Sequence, residues 1–445
     1  MTGVLDGIRA IEFGMAWAGP LAMRFLGDLG ADVIKIERRD DRGAGLGGGS
    51  EAVARAERDE WEWGRLPGPT FRAGVYPNAD PGERPWNRAG TFNKLHRNKR
   101  ALCMDLKTPA GWDAFERLVR SADILFDNFS PRGVLSLGID AAAMHALNPR
   151  LIRVSMSGYG ATGPDRNNVS YGPILEGASG LVSATGYPDG GPIKEGHAYP
   201  DPIGGLHGAF GILAALWERE RTGLGTTIEI SQLETYAAIG GELLLQTSVE
   251  GAPAPRGNRS RRYAPQGVYR CAADPGIGNP DIDRDDAWLA ITIRSDTDWA
   301  ALVEEIGAAE LRDPSYAAVD GRRAAQDAID AAIGGWTRDG DKHALAARLQ
   351  VRGIAAAAVM TNKDLVEDPQ LNDRGLIVEW DQPEVGPRRY AGFPIHFSEW
   401  APPEMRPTPG LGQDNQEILR ELGFDDGEIA QMQSDGVIAT TPTPS

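Results

Sequence analysis

The stretch IRAIEFGMAWAGPLAMRFLGDLGADVIKIE, residues 8–37, decides the fold. Ile8 to Phe13 is a short apolar run of strand length. Gly14, Gly19 and Pro20 make a turn, Leu21 to Gly30 reads as a helix with a glycine stop, and Ala31 to Ile36 is strand-like again. This is one βαβ unit. The alternation resumes with a strand over Ala101 to Leu106 and a helix over Pro109 to Ser121, capped by Thr108 with proline in its first turn. A strand over Asp123 to Phe129, a short helix opened by Asp140 and a strand over Leu151 to Met156 follow. Strands that alternate with helices imply a parallel, doubly wound, Rossmann-like sheet.

Farther along, Leu206, Phe210, Leu213 and Leu216 or Trp217 fall at helical spacing within Gly204 to Gly223. A strand over Thr226 to Ile230 and a helix over Gln232 to Val249 come next, and 251–286 is rich in loop residues. A strand over Trp288 to Ile293 and helices over Asp296 to Ile306, around Ala324 to Trp336 and over Lys342 to Arg352 suggest a smaller α/β domain. The expected organisation is a large domain from 1–205, a helical linker over 206–255, a small domain over 256–385 and a segment over 386–445 that returns to the large domain. Residues 40–91 form a Gly-, Pro-, Arg- and Trp-containing excursion with one helix over Ser50 to Trp63, and loops of this length are functional or mobile. The tail after Gly436 is expected to fray.

A chain of 445 residues exceeds one ordinary core. Its apolar fraction of 41% and charged fraction of 24% are those of a globular protein. The net charge of −17 disfavours nucleic acid or an anionic membrane as partner. Two cysteines, Cys103 and Cys271, make neither a disulfide framework nor a metal cluster, which fits a reduced, cytoplasmic setting. The N-terminal residues lack the pattern of a signal peptide, and no apolar run is long enough to span a bilayer.

The common catalytic motifs are missing. Gly43, Gly45 and Gly48 match G-x-G-x-x-G but follow a charged run instead of a strand, so they are not read as a dinucleotide site. The six histidines lack metal-ligand spacing, and there is neither a G-x-S-x-G elbow nor a Walker loop.

An ordered set of short segments is more specific than any of these. It comprises Leu5 to Arg9 with Ala18-Gly19-Pro20, Leu29 to Arg38, Arg97 to Arg100, Met104 to Lys107 and Asp127-Asn128-Phe129. Asn148 to Leu151, Ser157 to Gly160 with Gly163-Pro164, and Arg221-Thr222-Gly223 complete it. In this order the segments resemble the family III CoA-transferases, which include formyl-CoA and carnitine CoA-transferases and α-methylacyl-CoA racemase. The resemblance covers nearly the whole chain. It implies an interlocked homodimer, coenzyme A as co-substrate, no tightly bound cofactor, no metal, and acyl-CoA and carboxylic acids as substrates.

The resemblance also implies a nucleophile at Asp201, within Tyr199 to Gly205. On local grounds alone Asp201 is an ordinary helix N-cap with Pro202 first in the helix. A carboxylate there is also held ionised by the helix terminus and can attack a thioester. The resemblance places Arg38 and Lys99 on CoA, Asn128 and Phe129 near the adenine, and Trp17, Tyr171 and Gly172 in the substrate pocket. Each cation is equally compatible with a solvated charged face. The basic run Arg256, Arg259, Arg261 and Arg262 stands where some relatives carry a glycine-rich closing loop, and that glycine run is missing. Where the racemase has a catalytic histidine this chain has Tyr171, and a tyrosine is a poor α-proton base near neutrality. The reading is CoA transfer through mixed-anhydride and aspartyl-CoA intermediates. The alternatives are a CoA-ester racemase or isomerase, and a non-catalytic CoA-binding subunit of a heteromeric transferase.

Overall fold

The computed structural model describes residues 3–39, 76–77, 80, 82–273 and 287–442. They divide into two compact units. One comprises Met1–Leu181, Lys194–Leu245 and Gly375–Ser445, the other Val182–Ile193 and Gln246–Arg374.

The larger unit is built on the quoted stretch. Strand β1 (Arg9–Glu12), helix α1 (Ala18–Asp28) and β2 (Asp32–Glu37) are followed by α2 (Pro85–Arg88), α3 (Gly90–His96) and β3 (Lys99–Cys103). Then come α4 (Pro109–Ser121), β4 (Ile124–Asp127), α5 (Pro131–Leu137), α6 (Ala141–Leu147) and β5 (Ile152–Ser157). The run ends with α7 (Gly172–Ala178), α8 (Pro200–Thr222), β6 (Thr227–Ser231) and α9 (Gln232–Ile239). The six strands are all parallel in the order β3-β2-β1-β4-β5-β6. The order reverses between β1 and β4, and in such sheets ligands bind beyond the carboxyl ends of the strands at that point.

Strand residues alternate between two apolar layers because a strand has a side-chain period of two. Ile11, Ile34, Leu102 and Leu125 face Phe115, Leu118 and Met144. Ala10, Val33, Phe126 and Val154 face Met23, Leu26 and Ile212 of α1 and α8. Cap chemistry fixes helix ends where it was expected: Thr108 accepts from the N–H of Gly111, and Asp140 from Ala142 and Ala143. Buried Arg153 donates to the carbonyls of Ile139 and Val154 and is ion-paired with Asp127. Asp127 in turn accepts from the N–H of Phe129, which fixes the chain as it leaves β4.

Several expectations change. Residues 206–245 are not a linker: α8 packs in the layer with α1, and β6 completes the sheet. The helix expected over Gln232 to Val249 breaks at Gly240, where an added Cβ would lie 2.1 Å from Leu181 Cδ2. Part of the expected excursion is helical (α2 and α3), and Trp86 is buried there. The Gly43, Gly45 and Gly48 pattern, the expected helix from Ser50, Trp61 and Trp63 lie outside the described residues. The C-terminal segment does not fray directly after Gly436. Val437, Ile438 and Ala439 are buried, and Ile438 bridges to Met104.

The smaller unit has a three-stranded antiparallel sheet of β7 (Gln266–Arg270), β8 (Trp288–Thr292) and β9 (Ala355–Ala358). Helices Asp296–Ile306, Gln326–Thr337 and Lys342–Val351 cover it through Trp299, Leu302, Ile329, Ile333 and Leu349. Strand β7 lies inside the stretch read as loop, since five residues with Gly and Gln give little alternation. The basic run lies in this unit, and two of its four charges are ion-paired within the described residues. Arg259 pairs with Asp327 and Asp330, and Arg261 with Glu250.

Candidate active site

Asp201 stands in the first turn of α8, and the helix begins two residues earlier than expected. Pro200 opens it, and Tyr199 is the cap residue without a side-chain capping bond. Asp201 is therefore not the N-cap. Its carboxylate is left for something other than its own helix. The opening of α8 is small: a Cβ on Gly205 would lie 2.8 Å from the carbonyl oxygen of Ala18, and one on Gly208 2.6 Å from Met156 Cε. These glycines let α8 lie directly on α1 and the sheet, so two helix N-termini converge on one carboxylate.

Burial raises the pKa of Asp201 from 3.8 to about 6. The backbone N–H of Ala18 opposes the shift by favouring the ionised form, and the charge of Glu176 adds to it. A carboxylate attacks only when ionised, so if transfer runs through Asp201, kcat should fall on the acid side with a midpoint near pH 6 and be level from about pH 7 to 8. A stopped assay of CoA transfer between pH 5 and 8 checks this. An acid limb centred near pH 4, the range of a solvated aspartate, would remove the burial argument.

Gly172 and Glu176 occupy successive turns of α7 on one face. A Cβ at Gly172 would lie 2.3 Å from Asp201 Oδ2 and 2.5 Å from Ala198 Cβ, so only glycine fits against the carboxylate. Glu176 is fully buried, and neither of its carboxylate oxygens accepts a hydrogen bond among the described residues. Its ionic neighbour is half-exposed Lys194, at 3.3 Å. No sequence signal marked Glu176, since an isolated acidic residue in a short helix is ordinary. Tyr171 caps α7 and is 57% exposed, so the position where the racemase has its histidine carries a solvent-facing phenol.

Trp17, the residue before α1, meets the His197 ring edge-on at 6.3 Å, and His197 meets Tyr199 in the same way at 6.4 Å. The Lys94 ammonium lies 4.4 Å above the Trp17 ring. Trp17 thus stands next to Ala18, whose N–H meets Asp201, and His197 joins it although its spacing carried no signal.

The other expected site residues divide. Arg38 is exposed just past the carboxyl end of β2. Phe129 packs on Phe13 at 6.1 Å, just past β4. Asn128 spends its amide on the first βα turn: Oδ1 accepts from Met15 N–H and Nδ2 donates to Met15 O, both at 2.8 Å. Lys99 has no exposed side-chain surface. Its Nζ is 2.7 Å from Glu12 Oε2 and donates to Pro20 O at 2.9 Å, and burial lowers its pKa to about 8. Its ammonium is directed at protein groups.

Asp201 thus lies where α1, α7 and α8 meet, and comparison with known proteins identifies the family. The sequence model of CoA-transferase family III matches residues 5–415. The chain belongs to this family. It is 30% identical over 437 residues to the succinyl-CoA–D-citramalate CoA-transferase of Chloroflexus aurantiacus, covering 98% of both chains. It is 31% identical over 420 residues to the succinate–glutarate CoA-transferase of Agrobacterium fabrum, covering 94% of this chain and 95% of that one. A CaiB/BaiF family protein from Brucella suis superposes with a TM-score of 0.78 at 28% identity, over 95% of this chain and all of that one. This family III protein is therefore a transferase, and CoA is its co-substrate.

Proposed function

We propose that the protein moves CoA from an acyl-CoA to a free carboxylic acid through covalent intermediates on Asp201. The observation that carries this reading is the half-buried carboxylate at the meeting of two helix N-termini, with its pKa near 6 and a glycine packed against it. Asp201 Oδ attacks the thioester carbonyl, the C–S bond breaks, and CoA leaves as thiolate from a mixed anhydride. The thiolate then attacks the Asp201 carbonyl carbon, and the donor acid departs as its carboxylate. The acceptor carboxylate reverses both steps. Charge is conserved and no proton moves. The exposed phenol of Tyr171 weighs against α-proton chemistry and so against a racemase.

The relatives' names point to dicarboxylic acids as the class to try first. Purified protein with succinyl-CoA and a panel of dicarboxylic acids should form new CoA esters, seen by mass spectrometry, without deuterium uptake at the α-carbon in heavy water. Rapid α-deuteration with no acceptor present would replace the assignment with the racemase. The isolated chain should be active by itself, and failure to turn over without a second protein would favour the non-catalytic subunit.

Arg38, Asn128 and Phe129 are proposed to line the CoA site at the carboxyl ends of β2 and β4, as the resemblance implies, with Asn128 acting through the turn it holds. If Arg38 meets the 3′-phosphate, Arg38→Ala should weaken acyl-CoA binding by about 1.5 to 3 kcal/mol and spare the dephospho form. Equal losses for both ligands place it elsewhere. A homodimer is also proposed. Leu206, Phe210, Leu213 and Trp217 form an exposed apolar stripe along α8, with Phe210 72% and Trp217 80% exposed. Phe210→Glu with Trp217→Glu should shift a dimeric species to monomer in sedimentation. Free, buried Cys103 and Cys271 fit the proposed cytoplasmic setting.

A further inference from the structure

Two lysines and a glutamate are buried together under the first βα turn, where the transfer chemistry has no use for them. Glu12 and Lys35 are register neighbours at the carboxyl ends of β1 and β2. Glu12 and Lys99 have no exposed side-chain surface, and Lys35 has almost none. Glu12 Oε2 is 2.7 Å from Lys99 Nζ and Oε1 is 3.8 Å from Lys35 Nζ. Each ammonium then reaches a different end of the turn: Lys35 donates to Gly14 O at 2.6 Å, and Lys99 to Pro20 O at 2.9 Å. His96 closes the far side, its Nδ1 3.3 Å from Lys99 Nζ and 4.0 Å from Glu12 Oε1. Asn128 clamps the middle through both backbone polar groups of Met15.

The turn so held carries Ala16 in a left-handed conformation (φ 58°), then Trp17 and Ala18. A non-glycine residue there costs free energy and persists only where its surroundings hold it. Gly205, one helical turn beyond Asp201, packs against the carbonyl of Ala18, so the clamped turn directly faces the nucleophile. Desolvating three charges is also costly. Ordinary packing would be served better by apolar side chains of the same volume.

We infer that Glu12, Lys35 and Lys99 form a positioning triad that fixes the Gly14–Pro20 turn against Asp201, so that Lys99 serves catalysis from beneath the site instead of binding CoA. The inference rests on Asp201 being the nucleophile. It differs from the expectation of a Lys99–CoA contact in what each predicts for KM.

The test compares Lys99→Met with the double variant Glu12→Gln/Lys99→Met, which avoids leaving an unpaired buried carboxylate if the single variant folds poorly. Circular dichroism verifies folding, and steady-state kinetics, CoA binding by calorimetry and hydroxylamine trapping of the acyl-protein are then measured. The expected result is a loss in kcat and in trapping rate on the order of 10²-fold, the scale of a misplaced reacting group, with KM and CoA affinity within about twofold of wild type. A KM raised tenfold or more at unchanged kcat would return Lys99 to the CoA site. Unchanged trapping in a folded variant of lowered melting temperature would reduce the triad to a structural element. Wild-type protein that cannot be trapped at Asp201 refutes the nucleophile itself, and that outcome is distinct from both.

Discussion

Asp201→Ala is expected to abolish CoA transfer, by roughly 10⁴-fold or more, the scale on which covalent enzymes lose activity without their nucleophile. Asp201 offers no capping bond to its own helix, so its removal costs no cap. Hydroxylamine added with acyl-CoA should modify Asp201 in wild type and leave the variant untouched. Asp201→Asn should combine the same loss with a gain in stability. The folded-state pKa of about 6 lies above the 3.8 of an unfolded chain. The neutral form is thus favoured by folding. Its contribution is fully present below about pH 4 and is lost as pH rises through 6. At neutral pH the ionised carboxylate is a liability on the order of 1 to 3 kcal/mol. Thermal unfolding at pH 7.5 should therefore find Asp201→Asn more stable than wild type, with the gap narrowing below pH 6. Activity within a few-fold of wild type for either variant refutes the mechanism. An Asn variant less stable than wild type at pH 7.5 refutes the electrostatic account.

Gly172→Ala is the second large effect. The added methyl would start 2.3 Å from Asp201 Oδ2 and 2.5 Å from Ala198 Cβ. Ala198 Cβ is fixed to backbone, so the carboxylate must turn away or α7 must shift. Overpacking of this kind costs about 1 to 3 kcal/mol. The catalytic loss should be larger, on the order of 10²-fold in kcat, because a nucleophile displaced by an ångström leaves its attack geometry. CoA affinity, measured by calorimetry, should hold. Wild-type kcat in Gly172→Ala would mean that Asp201 turns freely in the working enzyme.

The active-site glycine shows what a resemblance can and cannot transmit. From the sequence, Gly172 was placed in the substrate pocket by resemblance alone, with no physical cause. In the fold the cause is contact. It abuts the Asp201 carboxylate, and Glu176, one turn on, is fully buried. The apolar surface of α8 was similarly legible as helical spacing at Leu206, Phe210, Leu213 and Trp217, but spacing does not say which side is buried. Gly204, Gly205 and Gly208 face the protein, and the large side chains face outward.

Residues 8–37 alone determined a parallel α/β sheet, because the switch from a strand period to a helical period and back is local and leaves few topologies. The position of Asp201 at a helix start was local too, and so was the identity of the ordered motifs. The tertiary structure decided what each charge does. Glu12 and Lys35 were visible as charges inside apolar strands, yet their partner Lys99 comes from β3, two strands away from β1. Whether a lysine meets a phosphate or a buried carboxylate depends on which side of the sheet edge its chain enters. The pKa of Asp201 likewise depends on water excluded by α1 and α7, elements distant in sequence. Periodicity reports which residues share a face, whereas desolvation and charge pairing arise only when separate faces meet.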